Sequence, residues 1–188
     1  MKEIEKRVFL SEQQYQKFLF AFNLVNKTPE RQITTYFDAN GNDLRLMNTQ
    51  SYSKIWLKGG VIHDNCREEY EVIFNNKYLS DMSKILSKLF NIKTKWFRER
   101  FTLSYKKANL CLDKSLNYGA ILELEILTEN ESFTTHNLDL INQYLEELGL
   151  VETPKDYANE KFIRYVNEWT TFDFPKDEKL WLEFGEGN

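Results

Sequence analysis

In several short apolar runs of this chain, charge returns at every second residue. Glu3, Glu5 and Arg7 share one face of KEIEKRVFL, and Lys54, Trp56 and Lys58 share one face of SKIWLK. Arg67, Glu69 and Glu71 do the same in REEYEVIF, Arg98 and Arg100 in TKWFRERFTLSY, and Glu123 and Glu125 in AILELEI. Period two is the side-chain period of a β-strand. The opposite faces carry Ile4 and Val8, Ile55 and Leu57, Tyr70 and Val72, Phe97 and Phe101, and Leu122, Leu124 and Ile126. An antiparallel sheet with one wet side shows this alternation too. Like charge separates the two cases, because neighbouring acids on one face repel. Acids gathered in this way suit a divalent cation, and clustered Lys and Arg suit phosphate.

Closure reconciles the two faces. Roughly eight antiparallel strands make a barrel wide enough inside for one small ligand. The fold class expected is α+β: a closed eight-stranded antiparallel β-barrel, or tunnel, with the polar faces in the lumen. The apolar faces then point outward beneath packed helices. One helix is expected from Ser11, where Ser11 and Gln14 form a capping box, and a second from Ser80. Helical spacing continues over about 137–148 and about 157–168. ANGND reads as a turn after the strand ITTYFD. Residues 1–168 are expected to form the domain, with 169–188 as an aromatic, acidic C-terminal tail that docks on the body.

With 188 residues, 41% of them hydrophobic, the chain has enough apolar material for one core. A net charge of −4 argues against a nucleic acid duplex as partner. Two cysteines, Cys66 and Cys111, give neither a disulfide framework nor a zinc site and read as idle thiols. His63 and His136 read as surface residues in loops or caps. No apolar run approaches the roughly 18 residues of a membrane span. The charged N-terminus does not read as a signal peptide, so a cytoplasmic location without membrane contact is expected, as a monomer or homodimer.

These motifs, in this order, resemble the CYTH superfamily, also called triphosphate tunnel metalloenzymes. The N-terminal E-x-E-x-K signature reads Glu3-Ile4-Glu5-Lys6-Arg7, and the Y-[YF]-D strand reads Tyr36-Phe37-Asp38. The L-R-[IL]-R and L-K-G elements read Leu44-Arg45-Leu46-Met47 and Leu57-Lys58-Gly59. The R-x-E-x-E strand supplies Arg67, Glu69 and Glu71, and the basic strand supplies Arg98-Glu99-Arg100-Phe101. The late acidic element supplies Asp113, Gly119, Glu123 and Glu125.

The resemblance implies that Glu3, Glu5, Glu123 and Glu125 bind Mg²⁺ or Mn²⁺, with Glu69 and Glu71 assisting a second ion. It implies that Arg7, Arg45, Lys58, Arg67, Arg98 and Arg100 hold a triphosphate, with Lys54 on the same face as Lys58. Three departures stand out: Arg7 replaces Lys, Met47 replaces the second arginine, and Arg98 stands where the family has Lys. Arginine stays protonated and is a poor general base. Catalytic candidates are therefore Tyr36, Arg98 and, if a bulge turns it inward, Lys95. The activity implied is metal-dependent hydrolysis of a linear triphosphate: inorganic triphosphate, thiamine triphosphate or a nucleotide. The alternatives are a class IV adenylyl cyclase, making cyclic AMP and pyrophosphate from ATP, and a binder without turnover. Trp56 is either a filler of the barrel wall or a stacking surface for an organic group.

Overall fold

A computed structural model describes residues 2–59, 66–128 and 134–184 of the chain. Eight strands form one curled antiparallel sheet: β1 (Lys2–Leu10), β2 (Glu30–Ala39), β3 (Asn42–Thr49), β4 (Ser53–Lys58), β5 (Cys66–Phe74), β6 (Asn91–Tyr105), β7 (Ala108–Ser115) and β8 (Gly119–Thr128). Their pairings run β1-β5-β4-β3-β2-β6-β7-β8, and β8 pairs again with β1. Five helices flank the strands: α1 (Glu12–Ala21), α2 (Leu79–Leu89), α3 (Thr134–Glu147), α4 (Lys155–Glu168) and α5 (Glu178–Phe184). The class is α+β.

Local chemistry sets the joints. Asn40 and Gly41 both take positive φ, 55° and 85°, and make the two-residue turn that folds β3 back on β2. Ser11 starts α1 through the expected capping box: its hydroxyl accepts from the Gln14 amide at 3.2 Å, and the Gln14 side chain accepts from the Ser11 amide at 2.9 Å.

The outward faces of β1, β7 and β8 give Ile4, Val8, Leu110, Leu112, Leu122 and Leu124 to a core shared with Tyr15 and Phe18 of α1 and Ile141, Tyr144 and Leu145 of α3. On the other side, α2 covers Phe37 and Leu46 with Leu86. Helix α4 inserts Phe162 and Tyr165 among Tyr36, Trp96, Tyr118 and Ile121, an aromatic cluster at one end of the sheet's concave side. Helix cover is not complete. Tyr70 and Val72, on the outer face of β5, are 63% and 61% exposed, so the expectation that helices cover every apolar face is corrected there.

The segment after residue 168 has structure that periodicity did not reveal. A short 3-10 turn spans Trp169–Thr171 and α5 follows. Trp181 and Leu182 bury against Ile33 and Phe97, and the Phe174 ring stacks 4.7 Å from that of Phe97. Cys111 is buried, and His136 is exposed on α3. His63 and the Cys66 side chain lie outside the described residues. Among the described residues no helix is long and apolar enough to cross a membrane.

Candidate active site

The concave side of the sheet encloses a cavity of about 420 Å³. Its wall is the charged face that the sequence alternation marks. Strands β1 and β8 are paired in a register that sets Glu5 opposite Glu125 and Arg7 opposite Glu123, and all four residues line the cavity with Glu3. Arg7 donates to Glu5 and lies 3.4 Å from Glu123.

The β6–β7 side is a guanidinium pair anchored on one buried acid. Arg100 donates to Asp113 Oδ1 at 2.7 Å and to Glu123 Oε2 at 2.6 Å. Arg98 donates to Asp113 Oδ2 at 3.1 Å and to Gln32 Oε1 at 2.6 Å. Asp113 is only 1% exposed, so it acts as a fixed anion behind both groups. Two chelating contacts of this kind hold a guanidinium in a defined plane.

The third side comes from β3, β4 and β5. Arg45 donates from Nε to Asp43 at 2.7 Å, and its guanidinium sits 4.5 Å from the centre of the Tyr36 ring. Lys54 is paired with Glu71 and, at 3.2 Å, with Glu69. Lys58 is paired with Glu3 and lies 3.5 Å from Glu69. Within the cavity, acids and bases are therefore paired in groups: Lys54 and Lys58 with Glu3, Glu69 and Glu71; Arg7, Arg98 and Arg100 with Glu5, Asp113 and Glu123; and Arg45 with Asp43.

The carboxylates divide into two electrostatic classes. Burial pushes Glu5 upward, but Arg7 and Lys58 outweigh it and hold the group below the usual carboxylate range. Glu123 is pulled down in the same way, with burial overcome by Arg7, Arg100 and Arg98. Glu3 goes the other way: burial and the nearby Glu5 charge push it up to about 7, against the pull of Lys58. Glu125 is also raised by burial and by Glu123 and Glu5, against Arg100. Three guanidinium groups thus outweigh burial at Glu123, whereas burial and neighbouring acids dominate at Glu3 and Glu125.

The two raised carboxylates and Glu5 together form a potential metal site. Carboxylate oxygens of Glu3, Glu5 and Glu125 lie within 4.8 Å of one another. An all-oxygen, multiply charged donor set suits a hard divalent ion such as Mg²⁺ or Mn²⁺.

The profile of the CYTH domain matches residues 1–156. This chain belongs to the CYTH family. CYTH proteins bind triphosphate substrates and depend on metal ions. Solved structures agree at the level of fold. A protein from Pyrococcus horikoshii OT3 superposes with a TM-score of 0.65 at 20% identity, over 81% of this chain and 95% of that one. A candidate adenylate cyclase from Vibrio parahaemolyticus gives 0.63 at 14% identity, over 86% and 97% of the two chains. A candidate adenylyl cyclase from Hippeastrum, described as having a dominant triphosphatase activity, gives 0.58 at 16% identity, over 94% and 98%. Among curated proteins, no sequence matches this chain.

The residues singled out in the sequence gather around one cavity, with two exceptions. Tyr36, Arg45, Lys54, Lys58, Glu69 and Glu71 line the same cavity as Glu3, Glu5, Arg7, Arg98, Arg100, Glu123 and Glu125. The Arg67 side chain lies outside the described residues; its backbone pairs with Glu3. Lys95 is a correction. Its ammonium lies on the outer face and bonds Glu178 of α5. Trp96, Arg98 and Arg100 point inward, so an odd-numbered neighbour can join them only through a bulge. The irregularity in the β2–β6 register does exist, but it skips Lys93, and Lys95 stays outside.

Other cavity residues were not anticipated. Glu30 and Gln32 enter because β2 begins at Glu30, ahead of the apolar stretch at Ile33, and both share the parity of Tyr36. That parity was the available signal. Tyr52 reaches the cavity from the turn between β3 and β4, and Phe162 from α4; no strand periodicity marks either.

Proposed function

We propose that this CYTH protein is a metal-dependent triphosphatase, hydrolysing a linear triphosphate inside a closed barrel tunnel. One observation carries the reading. Within a single cavity, six cationic side chains, Arg7, Arg45, Lys54, Lys58, Arg98 and Arg100, face an acidic trio fit for a divalent ion.

Phosphoryl transfer is mostly positioning and charge stabilisation. Arg98 and Arg100, held by Asp113, present planar N–H pairs suited to phosphate oxygens. Arg45, Arg7 and Lys58 add charge from the other strands, so oxygens along the triphosphate meet donors on several sides. Entry of the anion exchanges partners: the cations leave Glu3, Glu5 and Glu123 for phosphate, and the acids are released toward metal. Glu3, Glu5 and Glu125 would hold Mg²⁺ or Mn²⁺, with Glu123 beside them and Glu69 and Glu71 available to a second ion. A bound divalent ion supplies Lewis-acid polarisation of phosphoryl oxygens.

A second reading, a binder that turns over slowly, draws on the position of Lys95. With Lys95 outside, the amines that line the cavity among the described residues are Lys54 and Lys58. Burial alone would lower the Lys58 ammonium, but Glu5 and Glu3 raise it above the usual range, so it remains a charged ligand and not a base. The test is incubation with inorganic triphosphate, thiamine triphosphate and ATP, each with Mg²⁺ or Mn²⁺. Phosphate release that E3Q/E5Q abolishes supports the hydrolase. Cyclic AMP with pyrophosphate replaces it with a cyclase, and thermal stabilisation without product replaces it with a binder.

A further inference from the structure

Trp56 is 6% exposed and lines the cavity, yet its indole Nε1–H has no hydrogen-bond partner. A buried donor without a partner is destabilising. Such groups are rare and call for a cause. The surroundings supply one. The Lys54 ammonium lies 4.9 Å from the Trp56 ring centre and the Arg45 guanidinium 5.6 Å from it. Both are pure donors, so neither can accept from the indole. Across the strands Trp56 pairs with Arg45 on one side and Glu71 on the other. Beside it, opposite Lys54, stands Met47, an apolar residue on a wall of charge. The nearby acceptors, Glu69 and Glu71, are held by Lys54 and do not take the indole N–H, and the two cations make an anionic ligand the favoured partner.

We infer that the Trp56 indole N–H is a substrate-binding donor that engages a phosphate oxygen of the ligand between Arg45 and Lys54. The inference rests on the triphosphate reading of the cavity. The indole nitrogen is closed to solvent, so the oxygen reaches it as Lys54 leaves Glu69 and Glu71 for the anion. Trp56 is then a binding residue that gives a neutral, directional contact next to the position where Met47 offers no donor.

The test is isothermal titration of wild type and W56F, with Mg²⁺, against imidotriphosphate and the β,γ-imido analogue of ATP. Phe keeps the ring and removes the N–H. A hydrogen bond to a charged group is worth about 1.5–3 kcal/mol, so W56F is expected to weaken both probes by about 10- to 100-fold. Its ligand-free melting temperature should be unchanged or higher, since no native bond is lost. Equal affinity in wild type and W56F overturns the inference alone. Weakening confined to the ATP analogue also overturns it, because the acceptor then belongs to the organic group. Failure of wild type to bind either probe overturns the triphosphate reading and the inference together.

Discussion

Glu5 of β1 stands directly opposite Glu125 of β8, both facing the cavity. Like charges so paired destabilise a sheet by up to about 1 kcal/mol. Replacing one should therefore stabilise the protein when metal is absent. E125Q is expected to melt at or above the wild-type temperature in EDTA and to lose most of the stabilisation that Mn²⁺ gives wild type. Melting curves with and without Mn²⁺ check this; a variant destabilised in EDTA that keeps the full Mn²⁺ response contradicts it.

Asp113 anchors Arg98 and Arg100 while almost fully buried. Its removal leaves two guanidinium groups facing each other with a buried anion lost. D113A should cost on the order of 3–5 kcal/mol and lower the melting temperature by about 10 °C. Imidotriphosphate should recover more of that loss than it adds to wild type, because it supplies the missing negative charge. A melting curve superimposable on wild type rules out the anchoring role.

Lys95 bridges to Glu178 from the outer face, both groups being partly exposed. Such pairs contribute up to about 1 kcal/mol. K95M should leave turnover within about twofold of wild type and lower the melting temperature by no more than a few degrees. Steady-state kinetics decide: loss of kcat with an unchanged melting curve would return Lys95 to the chemistry.

The Cys111 thiol is pushed up to about 12 by burial, against the pull of Arg100. Thiolate is the reactive form. The native thiol should therefore resist iodoacetamide at pH 8, and alkylation should rise only as the pH approaches 12 or the chain unfolds. Because the folded value lies above that of the unfolded thiol, the group's share of stability is present below pH 9 and lost as pH rises toward 12. Mass spectrometry of a C66S background reads the rate. Fast alkylation of the folded protein at pH 8 contradicts the assignment.

Much of the cavity was legible because parity is a strong constraint in strands. Glu3-x-Glu5-x-Arg7 and Glu123-x-Glu125 can share a face only in extended chain, and like charge made that face the inner one. Parity also held the corrective information for Lys95: three residues from Arg98, it needs a bulge, and where a bulge falls depends on pairing with β2 that one strand's sequence does not contain. Glu30 and Gln32 were missed because apolar content defined the start of β2, whereas cross-strand pairing with β6 extends it. Helix α5 was missed for a similar reason. Seven residues make no stable helix alone, and this one is held by the packing of Trp181 and Leu182 on Ile33 and Phe97. Asp113 stands in the late acidic motif, but its hold on Arg98 and Arg100, like the unpaired Trp56 N–H, is a fact of three-dimensional packing.

The most direct test is a crystal grown with imidotriphosphate and Mn²⁺, with anomalous scattering collected at the manganese edge. Manganese bound by Glu3, Glu5 and Glu125, with triphosphate oxygens on Arg7, Arg45, Lys58, Arg98 and Arg100, is the expected result. Manganese away from that carboxylate trio, or triphosphate on the outer face of the sheet, would contradict it.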